Sequence, residues 1–309
     1  MSINVKTLFV SVISLMTIFS CTKPDAVSTK ELDIVVSADV MTRVGYSGTE
    51  TLPEKFVMDV LQNADPKYDY RTVTMERESD QNTYNPMYGT KMLWAGSSYA
   101  DVKVKAMTIP YEMEAIDPTA NMTVKVSTSQ NIESEIIKSD LLAATSDNSD
   151  ITVAEDKILI NFKHQFSKID VKYHLGSGLT SSDLRVNYAF LDNICIQGGY
   201  NYSSMSFVES VNKTNGSISM YHNIEENIFE AIFVPYKPSA NPRLVVYATV
   251  QGVNHILTCT ITPNDANGFE CGKRYMMNVT INSDSITTAS VGIANGWGSE
   301  ADENVFDTL

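Results

Sequence analysis

The sequence predicts an all-β protein built as an antiparallel β-sandwich, on three observations. Apolar residues recur with period two from about residue 31 onward, turn-forming clusters separate the alternating runs, and helical patterning is confined to two short segments. The first run places Leu32, Ile34, Val36, Ala38 and Val40 on one face. DVKVKAMTIPY follows with Val102, Val104 and Ala106, and then Met122, Val124 and Val126. Later runs are KILINFKHQF, FEAIFVPY, RLVVYATV and YMMNVTI, the last with Tyr275, Met277, Val279 and Ile281 facing one way. Between them lie GSGLTSSD, YKPSANP and TPNDANG, rich in the residues that favour turns. The helix candidates, EKFVMDVLQNAD and NIESEIIKSDLLAA, are equally readable as strands with turns.

With 309 residues the chain is long enough for two domains. The polar stretch ATSDNSDITVAEDK, at 144–157, reads as the linker between them. The expected division is 1–20 leader, 21–30 spacer, 31–153 first sandwich and 154–309 second sandwich. In KILINFKHQFSKIDVKY, Ile158, Ile160, Phe162 and Phe166 share one parity, and Ile169, Val171 and Tyr173 share the other. This phase change near Ser167–Lys168 predicts a β-bulge or a sharp bend. His164 falls on the apolar parity and reads as a hydrogen-bonded core residue.

Hydrophobic residues make up 43% and charged residues 19%, so a packed core is attainable. The formal charge of −14 repels phosphate backbones and anionic lipid, which excludes nucleic-acid binding. Lys6 followed by an apolar run from Leu8 to Phe19 has the form of an export signal, too short for the ~20 residues of a transmembrane helix. Cys21 stops this run, and Ile18, Phe19, Ser20 and Cys21 resemble the lipobox of bacterial lipoproteins. There the cysteine becomes the lipidated N-terminus, a role that needs a thiolate nucleophile. Acyl chains such as palmitate on Cys21 would tether the protein more firmly than one chain alone.

Catalytic signatures do not emerge. There is no GxSxG, HExxH, P-loop or GxGxxG opening a helix. With 37 acidic residues, carboxylate pairs arise by chance, and no glycosidase dyad can be named. His164, His174, His222 and His255 lack metal-ligand spacing, and Cys195, Cys259 and Cys271 can form at most one disulfide. A non-enzyme without cofactor or metal is expected.

Several stretches resemble Bacteroides-type fimbrillin-like proteins. LINFKHQFSKIDVKY is similar to the opening of their second domain, and GFECGKRYMMNVTI with SVGIANGW to their closing pattern. KMLWAGSSYADVKVKAMTIPY and KSDLLAAT resemble first-domain segments. The resemblance implies two tandem transthyretin-like β-sandwiches, export as a lipoprotein to the outer-membrane surface, and cell adhesion. For polymerising members it implies assembly into a type V pilus. An arginine-specific protease removes the first strand of such a subunit, and a strand from another subunit fills the groove. ELDIVVSADVMTRVG matches that pattern, with cleavage expected between Arg43 and Val44; Arg43 reads equally as a solvated strand-end residue. After Trp297 the acidic GSEADENVFDTL does not alternate as a donor strand should, so tip, anchor or non-polymerising roles fit as well as stalk formation. The alternative is a surface glycan-binding lipoprotein with Tyr84, Tyr88, Trp94 and Tyr99 as stacking rings, although strand aromatics more often pack in cores.

Overall fold

The structure is a computed structural model that describes residues 32–40, 52–63, 65–79, 81–96, 99, 101–154, 157–209, 213–263, 267–294 and 297. In chain order its elements are β1 (Val35–Val40), β2 (Lys55–Gln62), β3 (Tyr70–Arg77), β4 (Thr83–Pro86), β5 (Val102–Thr108), β6 (Asn121–Lys125), α1 (Glu133–Ser139), β7 (Leu142–Thr145), β8 (Ile151–Val153) and β9 (Lys157–His164). They continue as β10 (Ser167–Leu175), β11 (Leu184–Asn201), β12 (Ser206–Val208), β13 (Thr214–Ser219), β14 (Tyr221–Asn223), β15 (Ile228–Phe233), β16 (Arg243–Val250), β17 (Val253–Thr260), β18 (Arg274–Ile281) and β19 (Ile286–Ala294). The protein is therefore all-β, with α1 its single α-helix among the described residues.

Seven strands close a barrel in the order β1-β4-β3-β2-β5-β7-β9, the ring completed by β9 against β1, and β8 flanks β9. KFVMDVLQ, a helix candidate in the sequence, forms strand β2 because its period-two set points inward: Phe56, Met58 and Val60 are buried in the barrel core. In contrast, IESEIIKSD does hold a helix, α1, whose buried Ile136 belongs to the second core. Phe56 meets Phe162 edge-on at 5.2 Å and Tyr84 at 4.7 Å, the tilted geometry that aromatic quadrupoles favour.

The remaining strands form two sheets, β14-β15-β10-β18-β19 and β12-β11-β16-β17, the latter with β13 and β6 also on β11. Ile169, Val171, Phe229 and Met277 from one and Leu191 and Val246 from the other meet in a common core. Strand pairing crosses the expected boundary at residue 153 in both directions. β6 precedes it yet pairs with β11, burying Met122 and Val124 in the second core. β9 follows it yet lies in the barrel. The described residues 144–154 of the stretch expected as a linker are built into the barrel unit: β8 pairs with β9 through Ile151, Thr152 and Val153, and buried Asp150 takes an ion pair from Lys163. The phase change near Ser167 marks the chain leaving the barrel for the second unit, which is why Phe162 and Ile169 face different cores.

The two units are bolted together. Tyr202, fully buried after β11, donates its phenol hydrogen to Asp59 Oδ1 of β2 at 3.1 Å. Lys105 of β5 pairs with Asp59 Oδ2 at 3.5 Å and stands over the Tyr202 ring at 4.6 Å. Buried and beside a carboxylate, the Tyr202 phenol is pushed far above its ordinary pKa and stays a donor.

Candidate functional site

β1 is the strand on which closure of the barrel depends. On one side it runs parallel to β9, from Val35 opposite Lys157 to Val40 opposite Phe162. On the other it meets β4 antiparallel at Val36–Tyr84 and Ser37–Thr83. Just before it, Ile34 N–H donates to Met92 O and Trp94 N–H to Leu32 O, each at 3.0 Å. Alternation then decides what each side chain does. Ile34, Val36 and Ala38 point inward at 7%, 0% and 3% exposure, while Val35 stands 44% exposed. Burying that inward row contributes on the order of 5 kcal/mol as an upper estimate.

The socket facing Val36 and Ala38 is neutral. Phe56, Tyr84 and Phe162 are its large members, and the Tyr84 hydroxyl donates to Pro53 O at 2.8 Å. Burial pushes the Tyr84 phenol up to about 12, so it remains protonated and imposes no charge requirement on the strand beside it. Backbone pairing plus alternate apolar pockets is what strand addition requires of a receptor.

Beyond Val40 a cavity of about 700 Å³ opens, lined among others by Leu52, Arg77, Ile109, Ile137 and His164. His164 is buried, as the sequence implies for a core histidine: its Nδ1 is hydrogen-bonded to Asp140 Oδ2 at 2.6 Å. Trp297 lies flat on the imidazole, with centroids 4.1 Å apart and planes 9° from parallel. Gly272, at φ +68°, passes so near that a Cβ there would sit 2.9 Å from the His164 carbonyl oxygen.

Other expected site residues are placed as follows. Cys21, Arg43 and Val44 lie outside the described residues. The aromatic segment is split. Tyr84 and Trp94 are core residues at 2% and 4% exposure, Trp94 meets Tyr99 edge-on at 4.9 Å, and Tyr88 stands 90% exposed. These four rings do not form one exposed platform. His164 and His174 have separate partners, His174 sharing a hydrogen bond with Asn278 Oδ1 at 3.0 Å. Cys195, Cys259 and Cys271 are all free thiols, and burial pushes Cys195 up to about 11. Among the described residues no His, Cys, Asp or Glu cluster could hold a metal ion. No helix of the described residues is long and apolar enough to cross a membrane.

Sequence reasoning missed the part played by β9, the parallel partner of β1. Its even-numbered apolar residues announce a buried strand, but nothing local names the strand that it adjoins.

A two-unit all-β protein whose first unit is closed by its N-terminal strand defines the class. Residues 43–297 match the fimbrillin-like family, and the chain belongs to it. That membership carries the non-enzymatic assignment. Among solved structures, a cell adhesion protein from Bacteroides uniformis superimposes with a TM-score of 0.63 at 15% identity, covering 86% of this chain and 99% of that one. One from Bacteroides ovatus gives 0.63 at 16% identity, over 87% and 99%. At such identities the likeness establishes the fold alone. No curated protein matches the chain.

Proposed function

We propose that the protein is a surface lipoprotein, lipidated at Cys21, that serves cell adhesion as a subunit or accessory component of a type V pilus. In this reading β1 is an exchangeable strand, and a strand from another subunit takes its place in the barrel. The observation that carries the reading is the position of β1: N-terminal, apolar on its inward row, and the closing member between β4 and β9. Family membership supports it, as does the description of the similar Bacteroides structures as cell adhesion proteins. A two-sheet sandwich whose edges are zipped by one strand becomes a closed barrel, so the barrel and the two-sheet unit are read as the family's tandem transthyretin-like sandwiches. The units exchange β6 and β9 across the boundary expected at 153/154.

Arg43 lies three residues beyond the end of β1. A cut there would leave β1 held only by its ladders and inward side chains, ready for displacement, and would free the rest of the chain from the lipid on Cys21. Incubation of the full chain with an arginine-specific protease tests this. The expected result is a first cut between Arg43 and Val44, followed by loss of the 21–43 fragment when a partner's strand peptide is added. A first cut elsewhere, or a fragment that no such peptide displaces, overturns the reading.

A further inference from the structure

A strand with one neighbour can take on another chain, and folds guard such strands by shortness, bulges, charge or proline. Among the described strands of that kind, β8, β12 and β14 have three residues each. β13 and β19 are broken by register shifts, and β6 carries Lys125. β17 has none of these guards. Its eight residues, VNHILTCT, include no Lys, Arg, Asp, Glu or Pro, and they pair with β16 from Val250–Val253 to Arg243–Thr260 without a shift. It has no second ladder among the described residues. The hairpin fixes which backbone groups are free. Gln251 and Gly252 form its two-residue turn, at φ +48° and +81°, so Val250 and Val253 are a hydrogen-bonded pair. Odd-numbered residues of β17 therefore bond to β16, a phase that Ile261 continues with its N–H on Pro242 O at 2.9 Å. The N–H and C=O groups of Asn254, Ile256, Thr258 and Thr260 point outward from the edge. β19 approaches on the core side, where Cys259 shares a hydrogen bond with Thr288.

We propose that β17 is a docking edge for a second copy of this chain, whose own β17 lies antiparallel to it about a two-fold axis at Ile256. The side chains of the free row stand on the outer face. Ile256 is 63% exposed, and register sets it beside Tyr247, which stands beside Tyr188 at 46%. Charge favours a second copy as the occupant. Two chains of formal charge −14 repel each other, and a strand without charge is where they can touch. Phase favours it too. With even-numbered residues outward, the axis sets Ile256 against Ile256 and Asn254 against Thr258, for about six backbone hydrogen bonds. The apolar row then runs from Tyr188 and Tyr247 through Ile256 of one copy into the same three residues of the other. Such a self-complementary patch is what a two-fold interface requires. A sugar fits less well: the planes of Tyr188 and Tyr247 meet at 35° and those of Phe190 and Tyr247 at 77°, so these rings make no flat platform. The pairing belongs to the second unit and does not rest on exchange of β1.

Disulfide trapping in the full chain tests the pairing. In a hydrogen-bonded antiparallel pair the Cα atoms stand about 5.5 Å apart, within disulfide reach. Mild oxidation of an Ile256→Cys chain is therefore expected to give a dimer linked between the two introduced cysteines, located by mass spectrometry. An Ile224→Cys chain, substituted at an exposed residue away from this edge, sets the background. Sedimentation of the unsubstituted chain is expected to show a concentration-dependent dimer. Ile256→Lys sets two cations face to face, and Thr258→Pro removes an outward N–H while leaving the ladder to β16 intact; each should weaken the dimer about tenfold or more. A chain that stays monomeric, whether bare or with a neutral oligosaccharide on Tyr188, overturns the proposal. So does a dimer that either variant leaves intact, or an Ile256→Cys yield no higher than that of Ile224→Cys.

Discussion

β1 and β10 are built alike and held differently. Each lies between two neighbours and has one parallel partner, β9 for β1 and β18 for β10. β1 contributes six residues and seats Val36 and Ala38 in neutral pockets. β10 contributes nine, and besides its core row it sends Lys168 and Asp170 into a buried ionic network with Glu230 and Arg274. Removing β1 would uncover apolar slots that any strand with small and branched side chains at alternate positions can refill. Removing β10 would strand Glu230 and Arg274 without their partners, a cost that no generic strand restores. On the proposed reading, buried charge ties a strand to its own place, while plain alternation leaves one open to exchange.

The largest expected effect probes the charged strand. Glu230→Ala leaves Lys168 buried with Asp170, which Arg274 also engages, and should cost about 3–5 kcal/mol in urea unfolding. Adding Lys168→Met to a Glu230→Leu chain should recover most of that loss. A loss below 1 kcal/mol, on the order of an exposed pair, would erase the contrast with β1.

Next comes the strand seated by an apolar row. Ala38→Phe overfills a pocket in which Ala38 is 3% exposed; it should cost about 1–3 kcal/mol and speed release of β1 after cleavage. Val35→Thr, on the 44% exposed parity, should stay within about 0.5 kcal/mol. Equal effects from the two would mean that the inward row does not seat the strand.

A smaller effect is expected at the bolt between the units. Tyr202→Phe removes the donor to Asp59, which keeps Thr72 N–H at 2.7 Å and Lys105 at 3.5 Å, so the loss should be about 1–2 kcal/mol. A small effect is also expected at the surface pair Lys55–Glu76, 3.0 Å apart with 42% and 51% of each side chain exposed. Lys55→Ala should change stability by less than about 1 kcal/mol. A larger change would show that surface charge, rather than alternation, holds the barrel.

Alternation made much of this legible. Ile34, Val36 and Ala38, or Tyr275, Met277 and Val279, were assignable to buried faces because period two is a local property of the chain. The socket of β1 was not legible, since β9 and β4 join it from more than forty residues away in sequence. The same limit hid the departure of β6 to β11. Lys168 and Asp170 are illegible for another reason: charged residues alternating with Ile169 and Val171 are usual on a solvated face, and only the register against Glu230 and Arg274 reveals pairs suited to burial. Trp94 was open to both readings, platform ring or the commoner core residue, because composition does not report which side of a sheet a ring occupies.

The placement of β6 has a mechanical side. The chain passes between the units three times, from β5 to β6, from α1 back to β7, and from β9 to β10. Two units on a single tether can swing or be drawn apart by straightening the linker. Here separation has to strip β6 from β11 along the five residue pairs from Asn121–Asn201 to Lys125–Gln197, and break the Tyr202–Asp59 bolt as well. Tension arriving at one unit is therefore handed to the other through backbone ladders, as in a lap joint rather than a hinge.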